Sequence, residues 1–129
     1  MGTIRSHRDL IAWQEAMNLV EAVYQETAVF PREETYVLTA QTHRAAISVP
    51  SNIAEGAARN FGRELYRHLG IAIGSLAELE TQLELAIRLK YLPRNTGLFK
   101  QARRVGRLVN GLRNACKRWP AERPTGDGS

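Results

Sequence analysis

The run from Phe61 to Tyr91 constrains this chain more than any other stretch. Leu65, Leu69, Ala72, Leu76, Leu79, Leu83 and Ala86 recur there at alternating four- and three-residue steps, which puts them on one helix face and comes close to a heptad seam. Tyr66, Ile73 and Ile87 broaden that face. A helix with such a stripe is stable only when the stripe is buried against other helices, because isolated helices are marginal in water. Gly70 and Gly74 stand one turn apart in the same run. Each costs about 0.8–1 kcal/mol relative to alanine inside a helix, so they are read as a place where the preceding helix approaches closely.

Three further helical segments supply the partners. From His7 to Phe30, Leu10, Trp13, Met17, Val20 and Tyr24 form an apolar stripe that Ala12, Ala16, Leu19 and Val23 widen on one side, with Gln14, Asn18, Glu21 and Gln25 opposite. Ser6 and Asp9 suit its entry as cap and first-turn acid. Phe30-Pro31 ends it. Pro31 fits the first turn of a second helix, where its missing amide is harmless and Glu33 and Glu34 favour the positive end. Leu92-Pro93 closes the long third helix, and Asn95 or Thr96 is placed to cap a fourth. That fourth helix carries Leu98, Ala102, Val105, Leu108, Val109, Leu112, Ala115, Cys116 and Trp119 on its apolar side. No strand-like alternation occurs. Four helices joined by short loops predict an all-α, antiparallel up-down-up-down four-helix bundle. It spans residues 1–119, with helices near 8–29, 33–58, 62–91 and 96–117, and the Pro- and Gly-rich segment 120–129 is expected to be a disordered tail.

A length of 129 residues suits one domain with a real core. At 43% hydrophobic and 24% charged, the chain is far from the disordered class. No apolar run approaches the roughly 20 residues of a membrane span, and the start MGTIRSHRDL lacks the apolar core of a signal peptide, so a cytoplasmic protein with no membrane partner is expected. Cys116 is the single cysteine. It permits no internal disulfide and reads as a small buried apolar residue.

The second segment contains the sequence's main irregularity. In and just ahead of the stretch Gln41 to Arg59, Leu38, Thr42, Ala45, Val49 and Ile53 keep helical phase, yet Pro50 interrupts the run and the polar groups Arg44, Ser48, Asn52 and Glu55 surround it. A proline inside a helix typically costs about 3 kcal/mol. The helix either continues through Pro50 with a kink or breaks and restarts on the Asn52–Glu55 spacing of a capping box; the unbroken phase of Val49, Ile53 and Ala57 favours continuity.

The net charge of +5 is concentrated. Arg94, Lys100, Arg103, Arg104, Arg107, Arg113, Lys117 and Arg118 supply eight cations with no acid between them. The rest of the chain is therefore net acidic, and the positive field belongs to the fourth helix.

The blocks DLIAWQEAMNLVEAVY, FPREETYVLTAQTHRAAISVPSNIAEGAAR and LYRHLGIAIGSLAELETQLELAIRLKYL, in this order and spacing from about Asp9 to Leu92, resemble the bacterial four-helix-bundle family associated with intervening sequences in large-subunit ribosomal RNA genes. The resemblance implies a bundle that assembles into a homopentameric barrel. It also implies kinship with the accessory proteins of diversity-generating retroelements, which bind nucleic acid together with a reverse transcriptase. The family's signature blocks fall on Arg44 to Gly56 and Gly74 to Glu80.

Each polar group then has a structural and a functional reading. Ser48 or Asn52 bonding the Ala46 carbonyl freed by Pro50, and Arg44 pairing with Glu55, Glu78 or Glu80, would make a structural network fixing helix register. The functional alternative gathers Glu55, Glu78 and Glu80 as metal ligands or acid/base groups. Carboxylate bundles use Glu-x-x-His pairs, and neither His43 nor His68 has a glutamate three residues before it, so no metal and no cofactor are expected. Arg63-Glu-Leu-Tyr-Arg-His68 has the spacing of the Arg/His pair in the HEPN class of helical ribonucleases. A solvated basic face formed with Arg59 and Arg67 is the preferred reading of those residues.

The leading expectation is a non-enzymatic oligomeric scaffold. It would bind RNA or DNA backbone through Lys100, Arg103, Arg104, Arg107, Arg113 and Lys117, with a nucleic-acid enzyme as a candidate protein partner. The alternative is a protein–protein assembly module for an acidic partner, and a HEPN-like ribonuclease stands third.

Overall fold

The computed structural model describes residues 6–59 and 62–117. The segment 120–129, together with Arg118 and Trp119, lies outside the described residues. Four helices run in sequence: α1 (Ile11–Thr27), α2 (Leu38–Ala58), α3 (Gly62–Arg88) and α4 (Leu98–Lys117). Single 3-10 turns, His7–Asp9 and Arg32–Glu34, precede α1 and α2. Contacts link α1 with α2, α2 with α3, α3 with α4, and α4 back to α1, whereas the backbones of the diagonal pairs stay farther apart among the described residues. That closed square is the up-down-up-down bundle.

The chain entries follow from local chemistry. Ser6 accepts from the Arg8 amide (3.1 Å) and its own amide donates to Asp9 (3.3 Å), a capping box on the 3-10 turn rather than on the α-helix. Pro31 is extended, ahead of the second 3-10 turn, so α2 begins at Leu38, several residues later than the sequence suggests. Glu34 substitutes for a local cap there: its carboxylate accepts from the Leu38 amide (3.2 Å) and from the Tyr91 hydroxyl (2.9 Å). That hydrogen bond holds the Tyr91 hydroxyl above its ordinary pKa. At the other helix entry Thr96 accepts from the Leu98 amide (3.3 Å) while its hydroxyl donates to Glu26 on α1 (2.6 Å).

The α3 seam sits at the centre. Leu65, Leu69, Leu79 and Leu83 are wholly buried with Leu19 and Val23 of α1, Val49 and Ile53 of α2, and Leu98 and Val105 of α4. Each side chain of this kind contributes about 1.5–3 kcal/mol relative to its exposed state. In α1 the buried line is Ala12, Ala16, Leu19, Val23 and Thr27. Of the stripe read as central, Leu10 is buried, Trp13 and Val20 are partly buried against the core, and Met17 and Tyr24 are exposed, with Tyr24 at 45%. Small residues on the inner line let the helices approach, and the larger ones fall on the flank. Tyr24 there stacks on His43 of α2 (centroids 3.8 Å apart).

Helix α2 passes through Pro50 without a break. Close approach between α2 and α3 occurs at Gly56, where an added methyl would lie 2.9 Å from the Leu65 Cα and the His68 Cβ. Gly70 and Gly74 do not serve that purpose: Gly70 lies under the Arg113 guanidinium, and Gly74 has no neighbour within 4 Å of a built Cβ. Helix α3 stops in a Schellman motif. The Tyr91 amide donates to Ala86 O (2.8 Å) and the Lys90 amide to Ile87 O (2.9 Å), with Lys90 at φ 69°. Cys116 is buried, and burial pushes its thiol up to about 11, which fits its reading as an apolar filler.

Candidate nucleic-acid interface

The six cations assigned to binding divide once the packing of α4 is known. Leu98, Ala102, Val105, Val109 and Cys116 face the core. With 3.6 residues per turn, Lys100, Arg103 and Arg107 then point away from it, Arg104 flanks α1 and Arg113 flanks α3. Arg104 pairs with Glu15 of α1 (3.5 Å). Arg113 lies 4.0 Å over the Tyr66 ring and donates to the Tyr66 carbonyl (3.3 Å), so its charge is spent on holding α4 to α3. Arg103 rests near the Phe99 ring (5.8 Å). Lys100, Arg103, Arg107 and Lys117 are exposed and form no ion pair among the described residues. These four make the outward cationic surface. Arg94, ahead of the helix, binds Glu84 (3.0 Å) beside Arg88, and those arginines lower the Glu84 pKa.

Between α3 and α4 the surface opens into a groove of 430 Å³. Ile73, Leu76, Ala77 and Ala102 give it apolar walls, and Arg103, Arg107, Asn110 and Glu80 line it with polar atoms. Gly106 keeps it open opposite Leu76, whose Cδ1 would stand 3.9 Å from an added Cβ. Neither Gly106 nor Asn110 stood out in the sequence. The available signal was a glycine three residues after Arg103, on the flank between the charged and the apolar faces.

The polar residues of the signature blocks are distributed differently from the expectation. Ser48 and Ser75 hydroxyls are 2.7 Å apart across α2 and α3. The Asn52 amide nitrogen donates to Ser48 O (2.9 Å) and Ser48 Oγ (3.0 Å), not to the Ala46 carbonyl. Its amide oxygen lies 2.9 Å from His68 Nδ1. Because that oxygen only accepts, His68 carries its proton on Nδ1, and Nε2 is left to accept from Arg67 (3.2 Å). His68 is 4% exposed. It is a buried strut between helices, not part of a solvated basic face, while Arg63 and Arg67 are exposed. Its spacing from Ser75, one heptad on the same face, was the sequence signal for that role.

The remaining members lie apart from this chain of hydrogen bonds. Glu55 pairs with Arg59 on the surface (3.3 Å). Arg44 and Glu78 are exposed and join no ion pair among the described residues, and Glu80 lines the groove. No cluster of three His, Cys, Asp or Glu side chains that would hold a metal ion occurs among the described residues, and no helix among them is long and apolar enough to cross a membrane.

Comparison with known proteins agrees with this architecture. A crystal structure from Bacteroides thetaiotaomicron, described as a protein with unknown function from the S23 ribosomal protein family, is similar in fold with a TM-score of 0.56; the match has 21% identity and covers 82% of this chain and 94% of that one. No functionally curated protein matches the sequence. The family model for the 23S rRNA-intervening sequence protein matches residues 8–111, taking in α1, α2, α3 and α4 as far as Gly111. With most of the chain matched, the protein belongs to the 23S rRNA-intervening sequence protein family.

Proposed function

We propose that this protein is a non-enzymatic helical scaffold that assembles with copies of itself and holds RNA or DNA backbone on the outer face of α4. The observation that carries this reading is the set of exposed cations, Lys100, Arg103, Arg107 and Lys117, which form no ion pair among the described residues. Like charges held on one helix repel one another, and a polyanion removes that cost. Repetition around an oligomer would extend the patch from subunit to subunit. Self-association is supported by the half-exposed apolar flank of α1 and α2, where Met17, Tyr24 and Ile47 are 38%, 45% and 42% exposed; surfaces of this kind commonly mark interaction sites. A homopentamer is the assembly proposed.

Binding is tested by fluorescence anisotropy across a salt series, comparing wild type with Lys100→Glu/Arg103→Glu/Arg107→Glu. Wild-type affinity should fall as salt rises, and losing three phosphate contacts should flatten the log–log slope by about 0.7–0.9 per contact. Unchanged binding in the triple variant would remove α4 as the interface, and binding only to an acidic protein partner would favour the assembly-module reading. Light scattering tests the oligomer, and a monomer would overturn it. A HEPN-like ribonuclease is disfavoured because His68, the histidine of the Arg63–His68 spacing, is buried and bonded at both ring nitrogens.

A further inference from the structure

The α3–α4 groove has the properties of a pocket for one unpaired base, and we propose that it takes a guanine from a single strand whose flanking phosphates lie on Arg103 and Arg107. This rests on the reading of α4 as the nucleic-acid face and adds a base preference to it. At 430 Å³ the groove falls within the range of about 300–1,000 Å³ typical of small-ligand pockets. An open groove between two helices can admit a single base splayed from its strand. Ile73 and Ala77, above the buried Leu76 and Ala102, offer apolar surface to one face of a ring, and Arg103 and Arg107 stand at the same opening as its charged rim.

Glu80 supplies the selectivity. It is half buried and forms no hydrogen bond or ion pair among the described residues, although two arginines line the same groove. An ionised carboxylate only accepts, through two oxygens side by side. The free Watson–Crick edge of guanine presents two adjacent donors, N1–H and the N2 amine, which match that pair. Cytosine and adenine set a ring-nitrogen acceptor beside their single amine, and uracil flanks its one N–H with two carbonyls. Each of those bases therefore brings an acceptor against the carboxylate. Arg103, set beside the Phe99 ring, and Arg107 offset the charge of Glu80 toward the phosphates.

The test compares a short oligouridine with the same oligomer carrying one central guanosine or one central inosine, by anisotropy at physiological salt. The guanosine should tighten binding about tenfold, the scale of a good bidentate base contact, and inosine, which lacks the N2 amine, should give less. Glu80→Gln preserves size and helix propensity; it should erase the guanosine increment without weakening oligouridine binding. Equal affinity for the uridine and guanosine oligomers, or a Glu80→Gln variant that keeps the increment, would overturn the guanine pocket while leaving backbone binding in place. No binding to any of the three would overturn both readings.

Discussion

The two seams that α3 makes with its neighbours treat polarity in opposite ways. Against α2, Ser75, Ser48, Asn52 and His68 form a continuous hydrogen-bonded chain in a tightly packed interface. Against α4, the cations and Glu80 border an open groove, and only Arg113 is committed inward. Buried polar groups must find partners, since each unsatisfied one costs about 1–3 kcal/mol; exposed charges need none. The first seam therefore specifies helix register, and the second remains available to a ligand.

The sharpest way to break that contrast is at Gly56. A Gly56→Val substitution drives side-chain atoms against the Leu65 backbone, which cannot move as a flexible side chain would, and should lower stability by about 3 kcal/mol, read from urea unfolding. Asn52→Ala leaves the His68 Nδ1 proton without its partner and should cost about 2 kcal/mol; a double-mutant cycle with His68→Ala would show coupling absent from the α3–α4 seam. Lys90→Gly changes the end of α3 that both seams share. Relieving its φ of 69° should raise stability by about 0.5–1 kcal/mol, which a thermal melt would resolve.

A smaller effect comes from pH. Thr27 donates its hydroxyl to Val23 O (2.8 Å), so the His43 Nε2 at 2.8 Å must be the donor to that hydroxyl, in a neutral ring. Burial lowers the His43 pKa below 6.5. The unfolded chain then binds the proton more readily than the folded one, so this contribution is complete above 6.5 and lost as pH falls through the folded value. Unfolding midpoints measured across that range should show an acid limb that His43→Gln removes. Least affected should be Arg103→Glu/Arg107→Glu, whose melting should stay within about 0.5 kcal/mol of wild type because neither exposed residue has an ion-pair partner among the described residues. A large loss would mean that the α4 face is structural after all.

Much of this was legible in the residues because helical periodicity reports burial directly. The Leu65–Ala86 seam read correctly from spacing, whereas α1 and α3 stop at Thr27 and Arg88, a few residues ahead of Phe30-Pro31 and Leu92-Pro93. Finer assignments went astray where one residue type suits two roles. Glycine permits close approach anywhere, so Gly70 and Gly74 looked like the contact that Gly56 makes. In α1 two neighbouring apolar lines differed only in side-chain size, and the smaller one faces inward.

By itself, then, the sequence determined the number of helices, their order and the sign of the α4 face, since each depends on repeats within one segment. Only the tertiary structure decided that His68 is a buried strut, that Arg104 and Arg113 turn to Glu15 and Tyr66, and that Glu80 shares a groove with Arg103 and Arg107. Those outcomes depend on which flank of a helix meets which neighbour, and a rotation of a few tens of degrees, invisible in the periodicity, separates a solvated charge from a packed one.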